Sequence, residues 1–212
     1  MVGLLGGTFD PIHMGHLDVA EAARVAIGLD HILLVPANVP PHRAAPKASS
    51  AHRFAMAALG VQDRPDLRVS DLEMLSNEPS FTSTTLDRLR AAGGDPGTIC
   101  FVIGADAFRE IRTWKAFPEI LDRCHFVVVS RPGSPAPALR AVLPELSGRM
   151  IDAAGMLRFD TGGEPRILLV DAPTAPVSST DVRRRVAASE SIAGLVPDPV
   201  ARHIRKHGLY LE

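Results

Sequence analysis

Cysteine and aromatic side chains are scarce in this chain of 212 residues. It contains two cysteines, one tryptophan and one tyrosine. The cysteines, Cys100 and Cys124, stand in separate apolar contexts and form no CxxC pair. We interpret both as buried small hydrophobic residues, a pattern that favours a reducing compartment.

Long apolar runs and an excess of charge of either sign are also absent. No segment approaches the roughly 18 apolar residues of a membrane span, and the N-terminus becomes polar too early for a secretory signal. The formal net charge of -1 argues against nucleic-acid and membrane partners. With 46% hydrophobic and 22% charged residues, the composition predicts a globular cytoplasmic protein, organised as one domain over residues 1–212.

Short apolar runs alternate with segments of helical periodicity along the chain. Val2–Leu5 and His31–Val35 are predicted strands, and between them Leu17–Ile27 has helical spacing followed by Gly28. Later segments repeat the pattern. Further strands are predicted at 67–72, 98–103, 125–129 and 167–170, and further helices at 50–59, 82–90, 107–111, 179–188 and 199–207. This order predicts an α/β fold, a Rossmann-like doubly wound parallel sheet with helices on both faces.

Two stretches do not fit this alternation. Residues 36–50 form a long segment rich in proline and alanine, and loops of this length in compact domains usually have a function. Residues 134–165 are rich in proline and glycine and give no clear pattern, so a loose excursion is predicted there.

The stretch GGTFDPIHMGH (residues 6–16) follows the first predicted strand directly. Its glycines allow a ligand to approach the backbone, and the following helix start offers unpaired N–H groups, which suits a phosphate. It matches neither of the two commonest phosphate-loop patterns. Two other interpretations remain open at this point: His13 and His16 only cap the turn, or Asp10 joins them as metal ligands.

Six segments together resemble bacterial nicotinate-mononucleotide adenylyltransferases of the nucleotidylyltransferase superfamily. They are GGTFDPIHMGH, PANVPPHR (36–43), PSFTSTTL (79–86), FVIGADAF (101–108), SRPG (130–133) and VSSTDVRRRV (177–186). The resemblance extends from Val2 to Tyr210 and is thin between Ser134 and Pro165. It implies transfer of the adenylyl group of ATP to nicotinate mononucleotide, giving nicotinic acid adenine dinucleotide and pyrophosphate in NAD biosynthesis.

The resemblance also implies the residues that act on ATP. His13, His16 and Arg183 are expected to be catalytic. The expected ATP-binding residues are Gly6, Gly7, Thr8, Phe9, Gly104, Asp106, Arg131, Ser178, Ser179 and Thr180. Mg²⁺ is expected to accompany ATP, held by phosphates and water without dedicated protein ligands. There are structural alternatives for both segments. Ser178 with Asp181 only caps the helix predicted at 179–188, and Asp106 only caps the helix predicted at 107–111.

The acceptor mononucleotide is expected to contact a second set, namely Asn38, His42, Arg43, Thr82, Asp106 and Trp114. Two positions depart from the family pattern, where Arg43 replaces a lysine and Thr84 replaces an aspartate. For the segment PSFTSTTL, the alternative is that Ser80 or Thr82 only caps the helix that follows. Trp114 is expected to stack on the pyridine ring, although a lone tryptophan more often belongs to a core.

The alternative functions are transfer to a different acceptor or a function other than catalysis. Nicotinamide mononucleotide or pantetheine phosphate would be other acceptors, and a non-catalytic nucleotide sensor would use the same fold. The expected partners are ATP and nicotinate mononucleotide, and a homo-oligomer is compatible with the sequence.

Overall fold

A single seven-stranded parallel sheet runs through the computed structural model, which describes residues 1–41, 45–93, 98–156, 158–160 and 162–211. The strands are β1 (Val2–Gly7), β2 (His31–Pro36), β3 (Leu67–Val69), β4 (Ile99–Gly104), β5 (His125–Val129), β6 (Met150–Asp152) and β7 (Ile167–Val170). Their order in the sheet is β3-β2-β1-β4-β5-β7-β6. The predicted Rossmann-like doubly wound fold is therefore confirmed.

Helices connect the strands and cover both faces of the sheet. They are α1 (Met14–Ile27), α2 (Ser50–Val61), α3 (Thr82–Ala91), α4 (Ala105–Phe108), α5 (Leu139–Val142), α6 (Ser179–Ala187) and α7 (Asp198–Lys206). None of the helices within the described residues is long and apolar enough to cross a membrane.

Alternating side chains of the strands supply two separate hydrophobic cores. On β5, Val127 and Val129 pack into the core that contains α1, α2, α6 and α7, whereas Phe126 and Val128 pack into the core beside α3 and α4. A parallel sheet needs helices on both faces because both faces are apolar. Cys100 and Cys124 lie in these two cores, one in each, as predicted for small hydrophobic residues.

The strand order reverses between β1 and β4, and this places their carboxyl ends side by side. Leu5 of β1 is in register with Leu34 of β2 and with Val102 of β4. From this point α1 leads to one side of the sheet and α4 begins on the other. Ligands of open α/β sheets bind at such a switch point. The glycines that end β1 and β4 therefore meet at the expected site.

The structure differs from the sequence prediction mainly at the edges. β3 ends at Val69 rather than residue 72, and the predicted helix start at 107 lies at Ala105. The excursion at 134–165 contains 3-10 turns, α5 and the strand β6, which the sequence analysis missed. β6 has three residues and, within the described part of the chain, pairs with β7 alone, so its extended conformation depends on a partner rather than on a local pattern.

Candidate active site

Two adjoining cavities open at the carboxyl ends of β1 and β4. The first, here called the polar cleft, has a volume of about 520 Å³. The second, here called the aromatic cavity, has a volume of about 440 Å³. Both are lined by Gly6, Gly7, Thr8, Ile103 and Ala107. They are therefore two halves of one continuous site.

The polar cleft collects all the residues that the sequence analysis assigned to catalysis and to ATP. Its lining includes Gly6, Gly7, Thr8, Phe9, His13, His16, Gly104, Asp106, Arg131, Ser178, Ser179, Thr180 and Arg183. Lys47, which the sequence analysis missed, adds another cation. Lys47, Arg131 and Arg183 give this cleft an excess of positive charge, which suits a polyphosphate.

Direct hydrogen bonds hold the first loop and the start of α6 together. The Ser179 hydroxyl donates to the Pro11 carbonyl at 2.9 Å, and the Arg183 guanidinium donates to the Asp10 carbonyl at 2.7 Å. Arg131 donates to the carbonyls of Gly15 and Val177, each at 3.1 Å. Two segments separated by more than 160 residues thus form one wall.

His13 and His16 stack on each other at the start of α1. Their ring centroids are 3.7 Å apart with an interplanar angle of 24°. Nδ1 of His16 accepts from the backbone N–H of His13 at 3.3 Å, so a neutral His16 carries its proton on Nε2. Capping is therefore part of the arrangement: His13 occupies the N-cap position without a capping hydrogen bond from its own Nδ1, the His16 ring accepts from the His13 N–H, and both rings also line the cleft.

His13 is almost fully buried, with an exposed fraction of 3%. Burial, together with a smaller contribution from the positive charge of the nearby Arg131, lowers the pKa of His13 to about 3. His13 is consequently a neutral imidazole at physiological pH. Its Nδ1 is buried and has no hydrogen-bond partner among the described residues, so this atom has unused capacity for a ligand.

Glycines at three positions are explained by packing in the cleft wall. A Cβ on Gly7 would lie 2.9 Å from the Phe9 ring, and a Cβ on Gly15 would lie 2.6 Å from the Arg131 guanidinium. At Gly104, a Cβ would lie 2.5 Å from the Asp106 carboxylate. The absence of side chains therefore serves close protein packing as well as ligand approach.

Asp10 connects the first loop to two distant parts of the chain. Its carboxylate accepts from the backbone N–H groups of Lys47 and Ala48 at 2.8 and 3.0 Å, and from the Tyr210 hydroxyl at 2.8 Å. Asp10 is thus committed to structure. Moreover, the described residues contain no group of three or more potential ligands arranged for a metal ion, so the geometry does not favour the metal interpretation of Asp10, His13 and His16.

Arg53 is a buried arginine that positions two loops of the site, and the sequence analysis missed it. From α2 it donates to four backbone carbonyls, those of Thr8, Ala37, Asn38 and Ala48. These carbonyls belong to the loops that follow β1 and β2. Because a buried guanidinium needs partners for its donors, Arg53 fixes both loops around the site. An arginine within an otherwise apolar helical face was the available signal.

The start of α6 combines capping with the cleft wall. Ser178 is the N-cap, and its hydroxyl accepts from the Asp181 N–H at 3.1 Å. The Thr180 hydroxyl accepts from Arg183 at 3.2 Å. Asp181 pairs with Arg184 and Arg185 away from these groups. Capping by Ser178 is confirmed, whereas the Asp181 carboxylate accepts from Arg184 and Arg185 instead of completing a capping box, and the positive end of α6 lies at the cleft.

The aromatic cavity contains part of the predicted acceptor set. Thr82 and Trp114 line it, and the Trp114 ring lies edge-on to Phe101 with centroids 6.0 Å apart. Asp106, expected in both sets, lies in the polar cleft. It does not cap α4, whose N-cap is Gly104, and α3 has Phe81 as N-cap rather than Ser80 or Thr82.

One predicted acceptor contact, Asn38, lies elsewhere. Asn38 lines neither cavity among the described residues, and its amide donates to the Ser76 carbonyl at 2.7 Å. Nearby, Val39 pairs with Ser80, which ties the segment after β2 to the start of α3. His42 and Arg43 lie outside the described residues.

Comparisons with known proteins agree with this geometry. Residues 4–185 match the Cytidylyltransferase-like family. The chain is 39% identical over 214 residues to a "Probable nicotinate-nucleotide adenylyltransferase" of Pectobacterium atrosepticum, covering 99% of this chain and 98% of that protein. It is 38% identical over 210 residues to a protein of the same name from Chromohalobacter salexigens, covering 99% and 95%.

Solved structures show the same fold at low sequence identity. A nicotinic acid mononucleotide adenylyltransferase of Plasmodium falciparum, complexed with NaAD, superposes with a TM-score of 0.72 at 18% identity. The match covers 100% of this chain and 98% of that one. A second structure of that Plasmodium enzyme, complexed with APC, gives a TM-score of 0.69 at 17% identity, with coverage of 100% and 98%.

Proposed function

Because the chain belongs to the cytidylyltransferase-like family and, within it, to the nicotinate-nucleotide adenylyltransferases, we propose that its double cavity joins ATP to nicotinate mononucleotide. The products are nicotinic acid adenine dinucleotide and pyrophosphate. One observation carries the proposal: a cationic cleft formed by residues 6–16 and 177–183 adjoins a cavity with aromatic walls. A triphosphate fits the first half and a pyridine ring fits the second.

The proposed reaction is an in-line displacement at the α-phosphorus of ATP. A phosphate oxygen of the mononucleotide forms the new bond to this phosphorus while the bond to the bridging oxygen of pyrophosphate breaks. Pyrophosphate leaves with the electron pair. The attacking phosphate is already ionised at neutral pH, so the site must align reactants and stabilise negative charge rather than supply a base.

His13, His16 and Arg183 are proposed as the catalytic groups. His13 stays neutral because of its burial, so it acts as a hydrogen-bond donor or acceptor rather than as a cation. His16 presents Nε2–H toward the phosphate oxygens, since its Nδ1 is an acceptor from His13. Arg183, held by the Asp10 carbonyl, places a permanent positive charge on the same wall of the cleft.

The remaining residues of the polar cleft are proposed to bind ATP. The start of α6, with Ser178, Ser179 and Thr180, offers N–H groups and a positive dipole end to the β- and γ-phosphates. Gly104 permits close approach of the nucleotide, and the exposed Asp106 carboxylate can accept from ribose hydroxyls. Arg131 supports the wall through its two carbonyl partners and contributes charge.

The acceptor is proposed to occupy the aromatic cavity, with its pyridine ring against Trp114 and its carboxylate near Thr82. Three contacts with the acceptor, on the side of its phosphate, remain predictions, namely those of Asn38, His42 and Arg43. For Asn38 the proposal requires its amide to exchange the Ser76 carbonyl for substrate.

Mg²⁺ is proposed to enter with ATP. The described part of the cleft offers one exposed carboxylate, Asp106, and no protein cage, and this donor set fits a magnesium ion held mainly by phosphates and water. Bound in this way, the ion would neutralise charge on the departing pyrophosphate.

A product assay tests the proposal. Purified protein is incubated with ATP, Mg²⁺ and either nicotinate mononucleotide or nicotinamide mononucleotide, and dinucleotide and pyrophosphate are quantified. We expect formation of nicotinic acid adenine dinucleotide with stoichiometric pyrophosphate. Folded protein that binds ATP yet forms neither dinucleotide would overturn the proposed function.

A further inference from the structure

We propose that the Lys115 side chain determines specificity in the aromatic cavity by selecting an acceptor whose pyridine ring bears a carboxylate over one that bears a carboxamide. This inference deepens the proposed function and rests on it. It assigns acid-versus-amide discrimination to a side chain that the sequence analysis did not single out.

Lys115 is the one cation among the described residues that line the aromatic cavity. Its Nζ lies 4.7 Å from the centroid of the Phe81 ring, so the ammonium is held over an aromatic face. Trp114, the preceding residue, supplies the tryptophan ring of the same cavity. A ring stacked on Trp114 therefore lies close to a positioned positive charge.

The start of α3 adds a second positive feature beside Lys115. This helix has ten residues, and Ser80, Phe81 and Thr82 at its beginning line the cavity. Its N-cap, Phe81, provides no side-chain cap, and no acidic residue occurs in the first turn. The positive end of the helix dipole is therefore not offset by a carboxylate of its own.

The part of the aromatic cavity around Glu73 disfavours an anion and favours a ligand group that donates a hydrogen bond. Glu73 lines it with an exposed fraction of only 5%. One carboxylate oxygen of Glu73 accepts from the Thr85 hydroxyl, whereas the other, Oε2, is buried and has no partner in the described residues. A ribose hydroxyl would satisfy this oxygen. A bound anion would therefore turn toward Lys115 and away from Glu73.

These two ends match a mononucleotide of the acid form. A carboxylate offers only acceptor oxygens to an ammonium and to helix N–H groups, whereas a carboxamide presents an NH₂ donor at one of its two positions. The charged form thus gains a charge-assisted contact that the amide lacks. Lys115 is exposed to solvent, which limits the gain from a charged contact, and we expect a selectivity of about tenfold from this side chain.

Trp114 provides a direct readout, since it is the only tryptophan in the chain. Affinities of nicotinate and nicotinamide mononucleotides are measured by quenching of its fluorescence, without turnover, for wild type, Lys115→Met and Lys115→Arg. In Lys115→Met we expect about tenfold weaker binding of the acid form and an affinity for the amide form within about twofold. Lys115→Arg is expected to retain most of the preference because it keeps the charge.

Arg109→Met is the matched control. Arg109 is an exposed cation six residues away that lines neither cavity, so its removal should leave the acid-to-amide ratio unchanged. Affinity of the acid form should also weaken with added NaCl in wild type and much less in Lys115→Met.

Outcomes separate this inference from the proposed function. An unchanged acid-to-amide ratio in Lys115→Met, or equal weakening of both forms, would refute the role of Lys115, and so would a wild type that binds neither mononucleotide. If wild type prefers the acid form in binding but produces no dinucleotide with ATP, the proposed reaction fails while the fluorescence ratios still decide the role of Lys115.

Discussion

His16 has the arrangement expected of a group that meets the reacting phosphate. It is partly exposed in the polar cleft, while His13 beneath it is buried and holds it by stacking and by a backbone N–H. The histidines thus differ in exposure despite their shared motif, and we propose that the buried His13 also orients His16, which faces the cleft more openly. The difference follows from burial, which the motif alone does not express.

His16→Ala is predicted to fold and to lose about 10²–10³ in kcat, because it removes one positioned donor near developing charge. Dinucleotide formation under saturating substrates measures the effect, with thermal unfolding as the check on folding. His207→Ala, at the exposed position directly after α7 and outside both cavities, is the control. A kcat near that of wild type would show that His16 is not catalytic.

Gly15 illustrates how a motif glycine can be required by a distant side chain. The Arg131 guanidinium packs against it and donates to its carbonyl. The Ala175 carbonyl lies 3.0 Å from the position of an added Cβ, so the new methyl group meets a rigid backbone atom as well as a movable side chain.

Gly15→Ala is therefore predicted to lower the free energy of unfolding by about 1–3 kcal/mol and to raise KM for ATP, since Arg131 must release Gly15 and Val177. Urea unfolding and ATP kinetics measure both effects. Gly148→Ala, where an added Cβ meets nothing within 4 Å, should change stability by less than about 0.5 kcal/mol. Equal effects at the two positions would contradict the packing explanation.

At the scale of elements, α7 and the residues after it stabilise the first loop. Val200 and Ile204 bury α7 in the core with α2, and His52 contacts His203 with their ring nitrogens 3.0 Å apart. Beyond the helix, Tyr210 reaches Asp10. The C-terminal segment thus supports the loop that carries the histidines.

Tyr210→Phe is predicted to destabilise the protein by about 1.5–3 kcal/mol, because the buried Asp10 carboxylate loses a hydroxyl donor. Urea unfolding measures this loss of stability, and ionisation of the Tyr210 phenol in wild type provides a second, spectroscopic test of the contact. Burial raises the pKa of this phenol, and it is the only tyrosine, so its ionisation band should appear only on unfolding. Ionisation of folded protein near pH 10 would contradict the buried contact.

At the scale of the whole molecule, three histidines share a response to acid. The pKa values of His13, His31 and His203 are all lowered, in each case mainly by burial. In the unfolded chain these rings bind a proton below pH 6.5, whereas in the folded chain they resist it. Folding therefore excludes protons, and stability must fall as the pH decreases below 6.5.

We predict that the free energy of unfolding decreases by about 2 kcal/mol from His13 alone between pH 6.5 and 5, because its folded pKa lies well below this window. Urea unfolding at several pH values gives the slope. His13→Gln should flatten the slope whatever its effect on absolute stability. Identical slopes for wild type and His13→Gln would refute the assignment.

The sequence by itself determined the elements and most of the polar cleft. Apolar runs, cap residues and helix-ending glycines act within a few residues, and so β1, α1, β4 and α6 could be predicted from local pattern. The resemblance to the adenylyltransferases implied that the motifs of residues 6–16 and 177–186 meet at one ATP site.

Only the tertiary structure decided which side chains are buried and what they contact. The neutrality of His13, the carbonyl cluster of Arg53, the pairing of Asp10 with Tyr210 and the position of Lys115 over Phe81 all depend on residues distant in the chain. The strand β6 depends in the same way on β7. These features result from packing between elements, whose energies arise only when the whole fold excludes water.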